Sequence, residues 1–291
     1  MKTFFVFILF LFHVNSVFCL YNETFARYFL WPMAAATFSS NPELCVKDNF
    51  KQGEFKRSIE VQCDHIKTDT CLGFSAVSHS DKAIILSFRG SENSEVSQEV
   101  IDAIIERPIS AFGGKGKVLD YFLTAFTDVW KNGMKDDFLS LKNANPEYEL
   151  WVTGHSLGAA MASIAATTIA TSNYFDANKI KLVTYGQPRT GDKTYAALVD
   201  ATIPYAIRVV HKFDIVPQIP PQFLYGYHHH KSEVWYNNDM AVGDPWIECD
   251  EDESKQCSDS ETTVVGSDHD YYYGVTVGMA SYGCKGWNPY V

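Results

Sequence analysis

The chain has 291 residues, 46% of them hydrophobic and 14% aromatic, with a formal net charge of −11. That length suits one large α/β domain or two small ones, and a chain with 20 Phe, 16 Tyr and 6 Trp is too apolar to stay disordered. The acidic balance argues against a nucleic-acid partner, and no internal repeat or low-complexity tract divides the sequence.

At the N-terminus, Lys2 precedes an unbroken apolar run from Phe4 to Phe12, followed by Asn15 and Ser16. Such a run makes about 14 Å of helix, short of a bilayer core of about 30 Å, and reads as a secretory signal peptide. Cleavage after Cys19, with Val17 at the −3 position, leaves residues 20–291, read as a single domain, and removes one of seven cysteines. The remaining six, Cys45, Cys63, Cys71, Cys249, Cys257 and Cys284, predict three disulfides in an oxidising compartment, with fifteen possible pairings. Their spacing does not match a zinc site, so no metal is expected. Export makes Asn22-Glu23-Thr24 a glycosylation sequon. No later apolar run is long enough to cross a membrane, and the expected product is soluble, secreted and extracellular.

Further along, Lys82–Phe88 is a short apolar run ended by Arg89-Gly90, as a buried strand would be. From Val118 to Leu141 the pattern predicts mostly helix, with Phe122, Phe126, Val129 and Trp130 apolar and Asn145-Pro146 beyond as a breaker. Glu149–Thr153 reads as a strand and Ser156–Ala170 as a helix rich in Ala, Leu, Met and Ile. Lys181–Tyr185 is a strand, Gly191–Asp200 a helix, and Ile207–Val210 and Ser232–Tyr236 are strands. The alternation predicts βαβ units and a mostly parallel central sheet covered by helices on both faces.

Gly154-His155-Ser156-Leu157-Gly158 stands where the strand Glu149–Thr153 meets the following helix. A G-x-S-x-G run in that context holds a serine hydroxyl on a strained turn at a helix N-terminus, whose dipole favours developing negative charge. A serine needs a histidine base, and the base needs a carboxylate to fix its tautomer. Asp214, in the loop after the strand Ile207–Val210, is the best-placed acid downstream of Ser156. His211, His228, His229, His230 and His269 are candidates for the base. His211 precedes Asp214 closely, and the adjacent residues of the triple point apart. His269, just before Tyr271-Tyr272-Tyr273 and an expected terminal helix, is the preferred choice.

These residues resemble the class 3, fungal-type triacylglycerol lipase family of the α/β-hydrolase superfamily. The likeness runs from about Ile84 to Gly274, through blocks in the family order. They are Ser87-Phe88-Arg89-Gly90-Ser91, Val152–Ala160, Thr184-Tyr185-Gly186-Gln187-Pro188-Arg189, Arg208–Pro217, the Gly226–Trp235 stretch and Asp268-His269. The resemblance implies Ser156 as nucleophile, Asp214 as orienting acid and His269 as general base. It places the oxyanion hole at Ser91 and Leu157, where one donor is worth about 3 kcal/mol. It implies a structural role for the histidine triple and disulfides Cys45–Cys284, Cys63–Cys71 and Cys249–Cys257. Val118-Leu119-Asp120-Tyr121-Phe122 departs from the family's Val-His-x-Gly-Phe-like stretch.

In segment 93–107, Val96, Val100, Ile101, Ile104 and Ile105 line one face of a helix otherwise carrying Glu95, Glu99, Asp102 and Glu106. By the resemblance it would be the lid that opens at a lipid surface; a helix packed permanently on the core is the competing reading. The loop Asp250–Glu253 reads as solvated and tied by its flanking cysteines, and would repel anionic lipid. The expected function is a serine carboxylester hydrolase, foremost a triacylglycerol lipase, acting without cofactor on a lipid or ester at a lipid–water interface. Esterase and phospholipase A1-type activities use the same triad, and an inactive lipid-binding relative is the rival from another class.

Overall fold

The computed structural model describes residues 21–63, 70–90 and 107–291. The signal peptide assigned to residues 1–19, Ser91 and the lid segment up to Glu106 lie outside them.

Eight strands form the central sheet in simple chain order: β1 (Gly53–Gln62), β2 (Thr70–Ser78), β3 (Ala83–Phe88), β4 (Glu149–His155), β5 (Ile180–Tyr185), β6 (Tyr205–His211), β7 (Glu233–Tyr236) and β8 (Ile247–Cys249). β3 to β7 are parallel, and the antiparallel pairs β1–β2, β2–β3 and β7–β8 flank them. The inner strands are buried on both faces, which explains why their sequences are continuous apolar runs rather than alternating ones. Ile84, Leu86, Leu150, Val152 and Leu182 point to one face. Ile85, Trp151, Val183 and Tyr185, one residue out of phase, point to the other. A separate four-stranded sheet joins Ile109–Ala111, Gly116–Val118, Gly191–Asp192 and Tyr227–His228.

Helices cover both faces. On one lie α3 (Asp120–Val129), α4 (Lys135–Ala144), α5 (Leu157–Thr171) and α6 (Lys193–Thr202). On the other lie α1 (Trp31–Ala36), which continues a π-helical turn Phe25–Leu30, and α2 (Pro42–Asn49). Disulfide Cys45–Cys284 joins α2 to the C-terminal segment across 239 residues.

The expected helix Val118–Leu141 is broken. Gly133 adopts φ 137°, splitting it into α3, a π turn Trp130–Met134 and α4. Arg57 of β1 fills the gap, its guanidinium 2.7 Å from the Asp137 carboxylate. The helix expected from Gly191 starts only at Lys193, because Gly191 and Asp192 belong to the small sheet and the Asp192 carboxylate caps the Tyr195 N–H at 2.9 Å. No α-helix follows His269. The chain there forms a short hairpin, Tyr271–Tyr272 with Val275–Thr276, and a 3₁₀ turn at Val277–Ala280.

α5 is buried on nearly every side, and its first turn lies against the end of β3. A Cβ at Gly158 would overlap the main chain of Phe88, while one at Gly266 would meet open space. Gly158→Ala should therefore lower unfolding free energy by about 3 kcal/mol. Gly266→Ala should change it by no more than about 0.5 kcal/mol. Urea unfolding of the two variants side by side tests this pair of values.

Candidate active site

Ser156 is the single residue between β4 and α5. Its φ of 60° and ψ of −129° place a non-glycine residue in sparsely populated backbone space, at a cost of about 1–3 kcal/mol. Backbone hydrogen bonds on both sides hold it there. The Ser156 N–H donates to the Tyr185 carbonyl at 3.0 Å, and its own carbonyl accepts from Ala159 at 2.9 Å. The neighbouring glycines are required sterically, since a Cβ at Gly154 would overlap the Gly158 carbonyl and one at Gly90 would stand 2.8 Å from the His155 carbonyl. Leu157 follows as the first residue of α5, where the backbone N–H has no partner within the helix.

The loop after β6 delivers Asp214, and the segment before the short hairpin delivers His269. The two are joined by hydrogen bonds of 3.0 Å from His269 Nδ1 to each carboxylate oxygen. With the proton on Nδ1, Nε2 is left as the acceptor. Nε2 is buried and has no hydrogen-bond partner among the described residues, and no hydrogen bond links it directly to Ser156. Asp214 is 1% exposed, His269 6% and Ser156 9%, so the charge of the acid is sealed from water. Burial alone would push the Asp214 carboxyl up. The charge and hydrogen bond of His269, with donors at Val216 N–H and the Tyr272 hydroxyl, each 2.8 Å away, hold it below its ordinary value instead. Burial and the Asp214 charge raise the Tyr272 hydroxyl well above the normal tyrosine range, so it stays a donor.

Residues that sequence reasoning passed over complete the pocket. Tyr272 was read only as part of an aromatic run, and Gly186 only as the close of a strand and part of a motif block. Gly186 has φ 55°, and a Cβ there would stand 2.8 Å from Asp214 Oδ2 and 2.8 Å from His269 Nδ1. His155 stacks on His269, with ring centroids 4.4 Å apart. The signal for each was its place beside a chemical residue or turn, but none carried a distance.

Of the other histidines, His211 Nδ1 donates to the Asp268 carbonyl, 2.9 Å away, behind the loop. His229 Nε2 bonds the Pro217 carbonyl at 2.8 Å, and the His230 carbonyl accepts from Arg208 at 2.7 Å. Burial, followed by the charge of Arg208, drives His229 well below its ordinary pKa and His230 down to about 3, so both stay neutral. Among the described residues, no group of three or more His, Cys, Asp or Glu is arranged to hold a metal ion.

The loop Asp250–Glu253 keeps Asp250 and Glu251 exposed as expected, but not Glu253. Disulfide Cys249–Cys257 closes it, and Glu253 turns inward to pair with Arg189 at 2.8 Å. Arg189 also donates to the Gln218 carbonyl at 2.7 Å and to the Asp259 carboxylate at 3.1 Å, so it braces the loop that carries Asp214. Burial raises Asp259 to about 7, while its partner Glu253 stays ionised beside Arg189. The third disulfide joins Cys63 to Cys71 between β1 and β2. Asn22 is exposed, and its side-chain oxygen accepts the Phe25 N–H at 3.0 Å.

A mostly parallel sheet clad on both faces, with a serine at a strained strand-to-helix turn, defines an α/β-hydrolase. The model of the class 3 lipase family matches residues 85–224. A lipase of Caenorhabditis elegans is 33% identical over 98% of this chain and 90% of its own length. A secreted mono- and diacylglycerol lipase of Fusarium solani is 30% identical over 77% of this chain, which spans only 60% of that relative. Among solved structures, a triacylglycerol lipase whose catalytic centre is described as a serine protease triad has a TM-score of 0.77 and 26% identity. That match covers 89% of this chain and 96% of that one. This chain belongs to the class 3 lipase family and is a carboxylic-ester hydrolase of the triacylglycerol lipase kind.

Because Asp214 has a folded pKa below its unfolded value of about 3.9, its charge contributes stability that is fully present above that value. That contribution is lost as pH falls through the folded value. Asp214→Asn should flatten the acid limb of stability below about pH 4, read as urea midpoints from pH 2 to 6. Gly186→Ala should lower turnover by about a hundredfold by displacing the His269–Asp214 pair. Ester hydrolysis at saturating substrate, with unfolding monitored in parallel, tests it.

Proposed function

We propose that this protein is a secreted lipase that hydrolyses acylglycerols, triacylglycerol foremost, through Ser156, Asp214 and His269. The observation that carries the reading is the pairing of His269 with a sealed, ionised Asp214 beside a serine on a strained turn.

His269 Nε2 takes the Ser156 proton, and Ser156 attacks the ester carbonyl. Asp214 fixes the tautomer that makes Nε2 the acceptor, and it stabilises the imidazolium once formed. The oxyanion meets the Leu157 N–H at the α5 N-terminus and the group supplied by Ser91. His269 then protonates the leaving alcohol, and water repeats the cycle on the acyl-enzyme. This chemistry calls for no metal or organic cofactor.

The relatives' descriptions support acylglycerols as the substrate class. Three disulfides support an extracellular location, and with it a cleaved signal peptide before residue 20 and a glycan at Asn22. The apolar stripe Val96–Ile105 supports a lid that opens at lipid.

Hydrolysis of tributyrin measured through its solubility limit, with Ser156→Ala alongside, tests the reading. A lipase should jump in rate as droplets form, and the variant should lose at least about 10³-fold. Saturation below the limit without a jump would make the protein an esterase, and equal rates in both proteins would remove Ser156 as nucleophile.

A further inference from the structure

The proposed triad leaves His155 without a role, yet its side chain is buried against the His269 ring. It is 4% exposed and lies nearly face to face with the His269 imidazole, the centroids 4.4 Å apart and the planes at 26°. Its Nε2 is 2.9 Å from the main-chain carbonyl of His269 and donates to it. That bond fixes the tautomer and leaves Nδ1 buried without a hydrogen-bond partner. Trp31, Phe38 and Tyr272 close round the ring edge-on, at centroid distances of 5.8, 6.2 and 5.7 Å.

Packing alone does not call for histidine here. A phenylalanine would fill the slot among three aromatic rings without burying an unsatisfied nitrogen. What the imidazole adds is one N–H, and that group goes to the backbone of His269. The same residue precedes Ser156 in the chain, so one dipeptide touches both the nucleophile's turn and the base.

We infer that His155 is a positioning residue, which grips His269 by one ring face and by its carbonyl and so keeps Nε2 on a fixed line while it takes up and returns a proton. The assignment rests on His269 being the base. Its suitability lies in staying neutral, since burial, then repulsion from His269, pushes its pKa down to about 3. A stacked ring without charge does not oppose an imidazolium forming on its neighbour, and its π face attracts one.

The test is kinetics on p-nitrophenyl butyrate below its solubility limit, expressed per serine titrated with a fluorophosphonate. His155→Phe keeps the ring face and loses the donor, and should lower kcat about tenfold. His155→Ala loses both and should lower kcat about a hundredfold, with KM within about twofold of the parent. His155→Gln restores a donor and should recover part of the turnover lost in His155→Ala. Should the variants not fold, imidazole ¹⁵N spectra of the unaltered protein give an independent reading. They should show His155 neutral, with its proton on Nε2, from about pH 5 to 8.

A His155→Ala protein whose turnover per titrated serine stays within about twofold of the parent would overturn the inference. So would a defect confined to KM, or a His155 that titrates above about pH 5 or protonates on Nδ1. His269→Ala in the same assay separates the two assignments. Residual high activity there removes His269 as base, whatever His155 does.

Discussion

Everything at the site depends on how closely the first turn of α5 approaches the ends of β3 and β4. Gly154 and Gly158 leave no room for a Cβ between the strand end and the helix, and Gly90 leaves none beside His155. With those three surfaces in contact, the one residue between strand and helix is forced to positive φ. The strain at Ser156 is maintained by the burial of α5 behind it, on both its Ala-rich flanks. Such a turn cannot relax without unpacking the helix, so the serine's direction is as rigid as the core itself.

Around that fixed point, the proposed acid and base, Asp214 and His269, come from flexible kinds of structure made stiff by cross-links. Asp214 lies in a loop braced by Arg189, which pairs with Glu253 and binds two loop carbonyls. His269 sits in a segment of 3₁₀ turns and a two-residue hairpin, held by Asp214, Tyr272 and His155 rather than by a helix. Asp214 also bridges to Val265, four residues ahead of His269, so the two loops form one unit. Within the site itself, two buried ring nitrogens stand without a partner. Among the described residues, His155 Nδ1 and His269 Nε2 are both buried without a hydrogen-bond partner, and both belong to the same stack.

How much of this could be read from the sequence follows from the range of the forces involved. β3 to β6 were legible because burial on both faces makes their sequences apolar runs, and the Ser156 turn because its glycines answer to steric demands within a few residues. β1 was not. It is a sheet edge carrying Glu54, Lys56, Arg57 and Glu60, with a bulge between Phe55 and Arg57, so no clean alternation survives. The break at Gly133 depends on Arg57 arriving from β1, which local propensity does not record. The choice of His269 among five histidines came from chain order and family likeness. Gly186 meets the site only once it is folded against His269, 83 residues away, and Tyr272 only once it is folded against Asp214, 58 residues away. The inward turn of Glu253 was hidden for the same reason, since an acidic run looks solvated until its arginine is located.

The disulfide between Cys45 and Cys284 makes the chain a closed ring in all but its outermost residues. Closing so long a loop stabilises the fold by about 5 kcal/mol on the chain-entropy account. Its more particular effect falls on the segment beyond His269, which has little regular structure of its own and is tied to α2 by this bond, by the Cys284 N–H on Asp48 and by Asn288 on the Asn49 carbonyl. The placing of His269 is thereby tied to a bond that a reducing environment would remove. In a reducing compartment the newly made chain would carry its nucleophile on a finished core and its proposed base on a loosened tail.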